Sequence, residues 1–293
     1  MTADAAIFET HRGFITGIAY RMLGSVAAAE DVVQDAFLRW HRAAPAELLE
    51  PKAYLTRIVT RLCLDVLKSA RVQREMYVGT WLPEPILAPL QASPASGAEL
   101  HALADDLSVA LLVTLEQLSP LERAAFLLRD VFEMDFAVVA DVLNRSEAAC
   151  RQLTGRARDH LRKNRPRFTA TPQAEARLAA AFAVAMYSGD TEAIAALLAD
   201  DAVVYTDGGG QRQAALRPIL GRAKIQRFFA GLQRKRSAGP PLHAVPARIN
   251  GLPGFVLHDT NGVATLALAS NGECIAAIYI VRNPDKLQHL QVS

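Results

Sequence analysis

Apolar side chains in the N-terminal half of the chain recur at helical spacing. Residues 25–42 place them on one helical face, and residues 53–70 repeat the arrangement. Gly24 and Ser25, ahead of the first segment, are typical of a helix end followed by an N-cap. The apolar positions are Val32, Val33, Ala36, Phe37 and Trp40 in the first segment and Leu55, Ile58, Val59, Leu62, Val66 and Leu67 in the second. The pattern predicts two amphipathic helices with apolar, core-packing faces.

Another helical region begins at Ser119. The run Ser119-Pro120-Leu121-Glu122 combines an N-cap, a proline in the first turn and a capping-box glutamate. A helix over 136–143, a short turn and a Ser146-capped helix to about Lys163 then predict a helix-turn-helix. The buried side of its second helix is predicted to hold Ala149, Cys150, Leu153, Ala157 and Leu161. A plain helical hairpin in a bundle is the alternative.

The C-terminal part changes character, because strand-like segments follow its first helices. A helix over 175–187 ends at Gly189-Asp190, and a short helix then reaches Leu198. Strands are predicted at 203–206, 254–258, 263–269 and 274–281, with hairpin turns at Asn261-Gly262 and Asn271-Gly272. Helices followed by hairpin strands predict an α+β domain.

Two proline-containing segments mark predicted domain boundaries. Residues 80–98 contain four prolines and one charged residue, Glu84, and the basic segment from Lys163 to Pro172 is closed by prolines. Repeated proline interrupts helices and central strands, so the first segment predicts a linker. The predicted division is a domain over 1–79, a linker over 80–98, a domain over 99–165 and a domain over 173–293.

Composition narrows the class of protein. No apolar stretch approaches the ~20 residues of a membrane span, and the N-terminus does not read as a signal peptide. The three cysteines, Cys63, Cys150 and Cys274, lack the spacing of metal ligands. We therefore expect a cytoplasmic protein without a membrane segment, metal or cofactor.

The net charge of +2 conceals strong local imbalance. Residues 146–167 carry seven bases and two acids, residues 52–74 carry six bases and one acid, and the only charges in residues 26–36 are three acids. The basic helices predict a polyanionic partner and the acidic helix predicts a basic protein partner, although solvated helices also carry charge runs.

The second helix of the predicted helix-turn-helix has residue types suited to DNA. Glu147, Arg151 and Gln152 would point outward near its N-terminal end, where base edges would lie. Farther along, the arginines suited to phosphates are Arg156, Arg158 and Arg162. Gly155 lies among them and would allow close approach of a backbone.

These segments resemble a known family. The run AYRMLGSVAAAEDVVQDAFLRWHRA (19–43) resembles region 2 of bacterial sigma factors of the extracytoplasmic-function type, and residues 119–163 resemble region 4. The motifs WLPEP (81–85), Asp-Gly-Gly-Gly (207–210) and NPDKL (283–287) are similar to those of the subgroup with a SnoaL-like C-terminal domain. The resemblance implies two all-α sigma domains and an α+β NTF2-like cone.

The resemblance also implies partners for particular residues. Asp31, Gln34 and Asp35 would bind the clamp helices in the largest subunit of core RNA polymerase. The −10 promoter element would be held and melted by Lys52, Tyr54, Arg57, Arg61 and Lys68, with the loop 43–52 beside them. The −35 element would be read by Arg145, Ser146, Glu147, Arg151, Gln152, Arg156 and Arg158.

In this subgroup the appended domain is expected to regulate the sigma factor in place of a separate anti-sigma protein. The hypothesis is that one turn and one C-terminal segment pack against the linker motif. The turn is Asp207, Gly208, Gly209 and Gly210; the segment is Asn283, Pro284, Asp285, Lys286 and Leu287; the linker motif is Trp81, Leu82, Pro83, Glu84 and Pro85. Gln211 stands where the family would have lysine, which removes an expected ion pair.

Two other functions remain open from the sequence. One is a free-standing helix-turn-helix regulator, which would make no use of the acidic helix. The other is a SnoaL-like cyclase or isomerase, for which the candidate acids and bases are Asp201, Asp207, His243, His258 and Asp259. Because no spacing pairs them, we predict no enzyme; the mouth of the cone is expected to accept an unidentified small ligand.

Overall fold

The computed structural model describes residues 3–43, 50–75, 77–88, 109–164, 170–236, 243–259 and 262–290. The chain divides into two compact units. The first unit combines Met1–Met76 with Leu111–Arg165, and the second combines Tyr77–Ala110 with Pro166–Ser293. The predicted linker 80–98 is described only as far as residue 88, and this part belongs to the second unit.

Three long helices begin the first unit: α1 (Ala3–Leu23), α2 (Val26–Ala43) and α3 (Pro51–Glu75). Gly24, which follows α1, has a φ of 67°, and the Ser25 hydroxyl accepts a hydrogen bond from the Ala28 N–H at 3.2 Å, which caps α2. The fully buried side chains of this bundle include Phe8, Ile15, Tyr20, Trp40 and Leu55. Both predicted amphipathic helices are confirmed.

The rest of the first unit contains α4 (Val109–Leu115, with residues 111–115 in this unit), α5 (Pro120–Phe126), a π-helical turn (Leu127–Val131), α6 (Phe136–Leu143) and α7 (Glu147–Asn164). The capping box before α5 is present, because the Ser119 hydroxyl accepts from the Glu122 N–H and the Glu122 carboxylate accepts from the Ser119 N–H. Asn144 ends α6 in the left-handed conformation, and Ser146 caps α7. The predicted helix-turn-helix is confirmed.

The buried side of α7 differs from the prediction by a small rotation. Ala149 and Leu153 are only half-buried, whereas Thr154 is fully buried between Cys150 and Ala157. Positions 150, 154 and 157 follow helical spacing, so they share the buried face of the helix. Thr154 therefore points inward, and Leu153 lies at the edge between the buried and exposed faces.

The second unit is α+β, as predicted. Its helices are α8 (Pro172–Ser188), α9 (Thr191–Ala196) and α10 (Arg222–Arg236). Its strands are β1 (Leu87–Ala88), β2 (Leu198–Asp207), β3 (Ile219–Leu220), β4 (His243–Ile249), β5 (Leu252–Asp259), β6 (Gly262–Ser270) and β7 (Ile275–Val281). The sheet order is β1-β4-β5-β6-β7-β2-β3, with β2 and β7 parallel and every other neighbouring pair antiparallel.

The four predicted strands are present, but β1, β3 and β4 were not predicted. β4 contains Pro246, which interrupts the apolar alternation, yet the strand pairs with β5 along its whole length. The turn at Asn271 is present, because its side-chain oxygen accepts from the Glu273 and Cys274 N–H groups at 3.1 and 2.8 Å. The turn predicted at Asn261 lies outside the described residues.

One face of the sheet encloses an apolar core with α8 and α10. Phe182 of α8 and Phe229 of α10 meet edge to face, with ring centroids 5.7 Å apart. Ile225 of α10, Val204 of β2 and Ile278 of β7 are fully buried in the same cluster. Large apolar side chains therefore fill this layer. Within the described part of the chain, no helix is long and apolar enough to cross a membrane.

Candidate functional site

The exposed face of α2 holds the acidic residues singled out in the sequence. Asp31, Gln34 and Asp35 are exposed, while Trp40 on the opposite face is fully buried. Leu38 follows Asp35 by three residues on the same face and is 45% exposed. Sequence reasoning missed Leu38, because a single leucine at helical spacing is usually a core residue. The face therefore combines negative charge with an exposed apolar side chain.

Four of the five predicted residues of α3 lie on one helical stripe. Tyr54, Arg57, Arg61 and Lys68 fall within about 60° of one another at 100° per residue. Lys52 lies on the far side of the helix, and its ammonium group stands 4.2 Å from the centroid of the Phe14 ring. The structure therefore separates Lys52 from the other four.

The aromatic residues beside this stripe are partly explained by packing. Trp40 is fully buried, and its ring lies 6.1 Å from that of Tyr54, which is half-buried. Phe37 is also half-buried and meets Phe8 edge to face at 5.0 Å. Tyr54 thus has its body against the core and lies at the surface beside Arg57.

The residues predicted to read DNA on α7 and its preceding turn are all exposed: Arg145, Ser146, Glu147, Arg151, Gln152, Arg156 and Arg158. Arg151 forms an ion pair with Glu147 at 2.7 Å, and its guanidinium lies 4.9 Å from the centre of the Phe136 ring. These contacts hold the guanidinium group of Arg151 beside the N-terminal end of α7. Gly155 lies on the same exposed side, and a Cβ there would meet no atom within 4 Å.

Two acidic residues that sequence reasoning missed already hold two of the predicted DNA-binding arginines. Asp130 accepts two hydrogen bonds from Arg158, at 2.8 and 2.6 Å, and this pairing raises the pKa of the Arg158 guanidinium. Asp141 of α6 forms an ion pair with Arg57 of α3. Both acids lie within the run that resembles region 4, but no spacing in the sequence pairs either with an arginine, so only the folded arrangement shows their roles.

In the second unit, Asp207 at the end of β2 is the centre of a buried polar cluster. We name this the Asp207 cluster; it consists of Tyr77, Trp81, Leu82, Asp207, Asn283 and Lys286. The Asp207 carboxylate, which has no solvent exposure, accepts hydrogen bonds from the Leu82 N–H at 2.9 Å and from the Tyr77 hydroxyl. Lys286 pairs with the same carboxylate at 2.8 Å and also donates to the Leu82 carbonyl.

Aromatic rings and an amide complete the Asp207 cluster. The Lys286 ammonium lies 4.0 Å from the centroid of the Trp81 ring, a cation–π contact. Asn283 donates to the Tyr77 hydroxyl at 2.9 Å. Burial, followed by the hydrogen bond to Asp207, raises the pKa of Tyr77. Tyr77 was missed by sequence reasoning, because it lies outside the recognised linker motif.

The rest of the linker motif is also held within this unit. Pro83, Glu84 and Pro85 are buried. His289 contacts the Pro85 carbonyl through Nε2 at 2.9 Å and the Glu84 carboxylate through Nδ1 at 3.3 Å. The backbone of Ile86 exchanges hydrogen bonds with Asn250 at the end of β4. The segment 77–88 is thus fixed to this domain through backbone and side-chain bonds.

Close packing around the triple-glycine turn leaves no room for a side chain at two of its positions. A Cβ at Gly208 would lie 2.2 Å from the Arg212 carbonyl oxygen, and one at Gly209 would lie 2.4 Å from the Asn283 side chain. Gly209 also has a φ of 62°, which favours glycine, and its N–H donates to Asp207 at 3.0 Å. These two glycines therefore let the turn meet Asn283; Gly210, with a φ of 72°, ends the run.

The C-terminal motif contributes both a turn and a cation. Asn283 caps a 3₁₀ turn over Pro284–Lys286, accepting from the Asp285 N–H at 3.0 Å, and Leu287 is fully buried. Gln211 donates to the Asp285 carboxylate at 2.7 Å. Gln211 thus keeps a neutral hydrogen bond here, and Lys286 supplies an ion pair to Asp207 nearby.

Comparison with known proteins identifies the chain. It matches the family model of Sigma-70 region 2 over residues 7–72 and that of Sigma-70, region 4, over residues 108–161. It is 37% identical to the ECF RNA polymerase sigma factor SigJ of Mycobacterium tuberculosis, across 97% of this chain and 93% of SigJ. The chain belongs to the ECF RNA polymerase sigma factors.

Two further comparisons agree with this assignment. The crystal structure of Mycobacterium tuberculosis SigJ matches this sigma factor with a TM-score of 0.80 and 34% identity, covering 97% of this chain and 98% of that chain. The probable ECF RNA polymerase sigma factor SigI of the same species is 32% identical over 66% of both chains. The predicted fold class, two all-α sigma regions with a SnoaL-like, or NTF2-like, C-terminal domain, is confirmed.

The candidate catalytic residues of this sigma factor do not form one site. His243 and His258 are cross-strand partners with ring centroids 6.0 Å apart, and both are exposed. Asp207 belongs to the Asp207 cluster, and Asp201 is exposed on β2, three strands away from β5 in the sheet. Asp259 ends β5. Across the described ranges, no group of three or more His, Cys, Asp or Glu is arranged to hold a metal ion.

Proposed function

We propose that this sigma factor binds core RNA polymerase through the exposed face of α2. The observation that carries the proposal is the clean division of α2 into a buried apolar side and an exposed side with Asp31, Gln34 and Asp35. Negative charge on this side suits the clamp helices of the largest polymerase subunit, which the family resemblance implies as the partner. Leu38 adds an apolar contact at the same face.

The basic stripe of α3 and the exposed side of α7 are proposed to bind the promoter. Arg57, Arg61 and Lys68 would hold the melted −10 strand by its phosphates, with Tyr54 available to stack a base. On α7, Arg151 and Gln152 would read −35 base edges in the major groove, and Arg156 would hold a phosphate. Residues 44–49 of the loop 43–52 lie outside the described residues, so its part in −10 recognition stays a prediction.

Reconstituted transcription with core RNA polymerase tests the polymerase face. Asp35→Lys should weaken binding to core polymerase at least tenfold and lower promoter-dependent transcripts in proportion. Glu192→Lys, an exposed charge reversal on α9 of the second unit, is the matched control and should leave both unchanged. Equal binding by the Asp35→Lys variant and the native chain would contradict this role for α2.

The C-terminal unit is proposed to regulate the sigma factor in place of a separate anti-sigma protein. The connection between regions 2 and 4 runs through residues 77–110, and the Asp207 cluster fixes its first part. Because this contact is intramolecular, effective concentrations of order mM make even a weak contact persist. By fixing part of this connection, the C-terminal unit would set how far apart regions 2 and 4 can bind on the promoter. That spacing would then change promoter output.

The side chain of Trp81 gives the sharpest test of this regulation. Trp81→Ala should alter the promoter output of the folded chain, and it should also lower the thermal stability, because it removes the cation–π contact with Lys286. Val78→Ala, a change at a 55% exposed position of the same segment, should leave output unchanged. A loss of stability without any change in the output of the folded protein would mean that Trp81 only packs.

Two expectations about the C-terminal unit stay predictions. An unidentified small ligand is expected at the mouth of the domain, and titration of the purified chain against metabolite mixtures would detect it as a shift in Tm. We propose no catalytic role, since His243 and His258 are far from Asp201 and Asp207 in the strand order.

A further inference from the structure

We infer that α10 of the C-terminal domain carries a second DNA-binding surface, which grips the phosphate backbone of the promoter duplex. This inference rests on the proposed sigma function and extends it to a helix outside both sigma regions. The helix, Arg222–Arg236, contains six basic residues and no acidic residue.

The exposed bases of α10 form one continuous stripe. Lys224, Arg227, Arg234 and Lys235 are exposed and fall within about 100° of one another around the helix axis. They span about 16 Å along the axis, at 1.5 Å per residue. Ile225 and Phe229 face the apolar core from the other side of the helix. We call these four residues the α10 stripe.

Interactions inside the domain do not account for the α10 stripe. Arg222, at the start of the helix, is used internally: it donates to the Leu198 carbonyl and pairs with Asp200 at 3.2 Å. Lys235 donates to Gln213 at 3.1 Å. In contrast, Lys224, Arg227 and Arg234 make no ion pair with any acidic side chain in the described parts of the chain.

The position of two of these charges is unfavourable for the helix itself. Lys224 lies in the first turn, where the positive end of the helix dipole disfavours cations, and Arg227 lies in the second turn. They are also three residues apart, so the like charges are neighbours on the helix surface. Arg234 and Lys235 near the C-terminal end suit the dipole. Helix stability therefore does not explain Lys224 and Arg227, whereas binding of a negatively charged partner does.

The centre of the α10 stripe is a glycine. Gly231 lies between Arg227 and Arg234 on the exposed face, and a Cβ there would meet no atom within 4 Å. Packing within the domain therefore does not require glycine, although glycine weakens a helix interior. A surface without a side chain, flanked by guanidinium groups, lets a sugar–phosphate strand approach the helix backbone while arginines bind the phosphates in a bidentate manner.

Double-stranded promoter DNA is the partner that these features favour. Duplex DNA carries one negative charge per about 1.7 Å of its axis, so a 16 Å row of cations meets several phosphates at once. The aromatic side chain beside the α10 stripe, Phe228, is half-buried and packs against the apolar core and the Phe229 ring, so it is not free to stack on unpaired bases, which argues against single-stranded DNA. Contact with phosphates would add affinity without sequence preference.

The salt dependence of promoter binding by the full-length holoenzyme tests this inference. Arg227→Gln/Arg234→Gln removes two charges of the stripe, so the slope of log K against log salt concentration should become less steep by about 1.8. Arg177→Gln/Arg217→Gln removes two exposed charges elsewhere in the domain and should change the slope little. Circular dichroism of both variants checks that α10 still folds.

Each alternative outcome is decisive. An unchanged slope in the stripe variant, or equal reductions in the two variants, would overturn the inference. So would stripe-dependent binding to phosphatidylglycerol vesicles with an unchanged DNA slope, since it would assign the stripe to a membrane. Absence of promoter-dependent transcripts from the native holoenzyme would count against the sigma function instead. In that case the salt slope is measured for the full chain alone on duplex DNA. The stripe variant must again show the less steep slope for the inference to stand.

Discussion

At the scale of single residues, Asp207 determines how the linker segment is held. A buried carboxylate is tolerated only when it is paired and hydrogen-bonded, and Asp207 has Lys286, Tyr77 and the Leu82 N–H as partners. Tyr77 and Leu82 come from the linker segment and Lys286 from the C-terminal motif, both far from Asp207 in sequence, and their bonds converge on one side chain. The stability of the second unit should therefore fall when any one of them is removed, and most when Asp207 loses its cation.

Lys286→Met should destabilise the second unit by about 3 kcal/mol, because it leaves the Asp207 carboxylate buried without its cation. Lys68→Met removes a lysine whose side chain is 73% exposed and should change the unfolding free energy by less than about 0.5 kcal/mol. Chemical denaturation of both variants measures the difference. A loss below about 1 kcal/mol for Lys286→Met would contradict the role given to this pair.

Tyr77→Phe should make the chain less sensitive to alkaline pH. The pKa of Tyr77 is raised in the folded state, so its neutral hydroxyl stabilises the fold fully below about pH 10, the ordinary tyrosine value, and this contribution is lost as the pH rises above it. The variant should be less stable at pH 7 by about 1 kcal/mol, from its lost hydrogen bonds. Between pH 9 and 11 its Tm should fall less than that of the native chain.

The residue-level site was only partly accessible from the sequence. The motifs at 81–85, 207–210 and 283–287 predicted segments that the structure brings together around Asp207. Tyr77, Asp130 and Asp141 gave no signal, because an isolated tyrosine or aspartate has no periodicity or spacing that marks its partner. Lys52 was grouped with its neighbours by charge, but its position on the helix turns it away from them.

At the scale of elements, helices were easier to foresee than strands. Helical periodicity and caps such as Ser119 and Ser146 act locally, so the chain itself specifies α2, α3, α5 and α7. β1 and β3 have two residues each, too few for an alternating pattern, and form only by pairing with β4 and β2. β4 carries Pro246, so its assignment also depends on its partner β5.

The proposed roles of α7 residues in base reading and in phosphate binding predict different effects for two variants. Arg151→Ala should relax promoter specificity at one −35 base pair and cost about 1–3 kcal/mol of discrimination there. Arg156→Ala, at an exposed phosphate-type position, should weaken binding to all promoters about equally. Transcription from a library randomised across the −35 element measures both. A uniform loss from both variants would contradict base reading by Arg151.

At the scale of the whole molecule, neither compact unit is continuous in sequence. The segment Tyr77–Ala110 interrupts the helical unit and belongs to the C-terminal one. Local pattern predicted a linker at 80–98, since proline-rich composition shows where regular structure stops. It could not show which unit takes up the segment, because that depends on long-range bonds such as that from Leu82 to Asp207.

Reconstituted transcription with core RNA polymerase on a genomic promoter library tests the sigma function most directly, when the full chain is compared with a version ending at Arg167. We expect promoter-dependent transcripts from the full chain and a different output or promoter set from the shortened one. Equal output from both would contradict regulation by the C-terminal unit. No transcripts from either form would contradict the conclusion that this sigma factor directs polymerase to promoters.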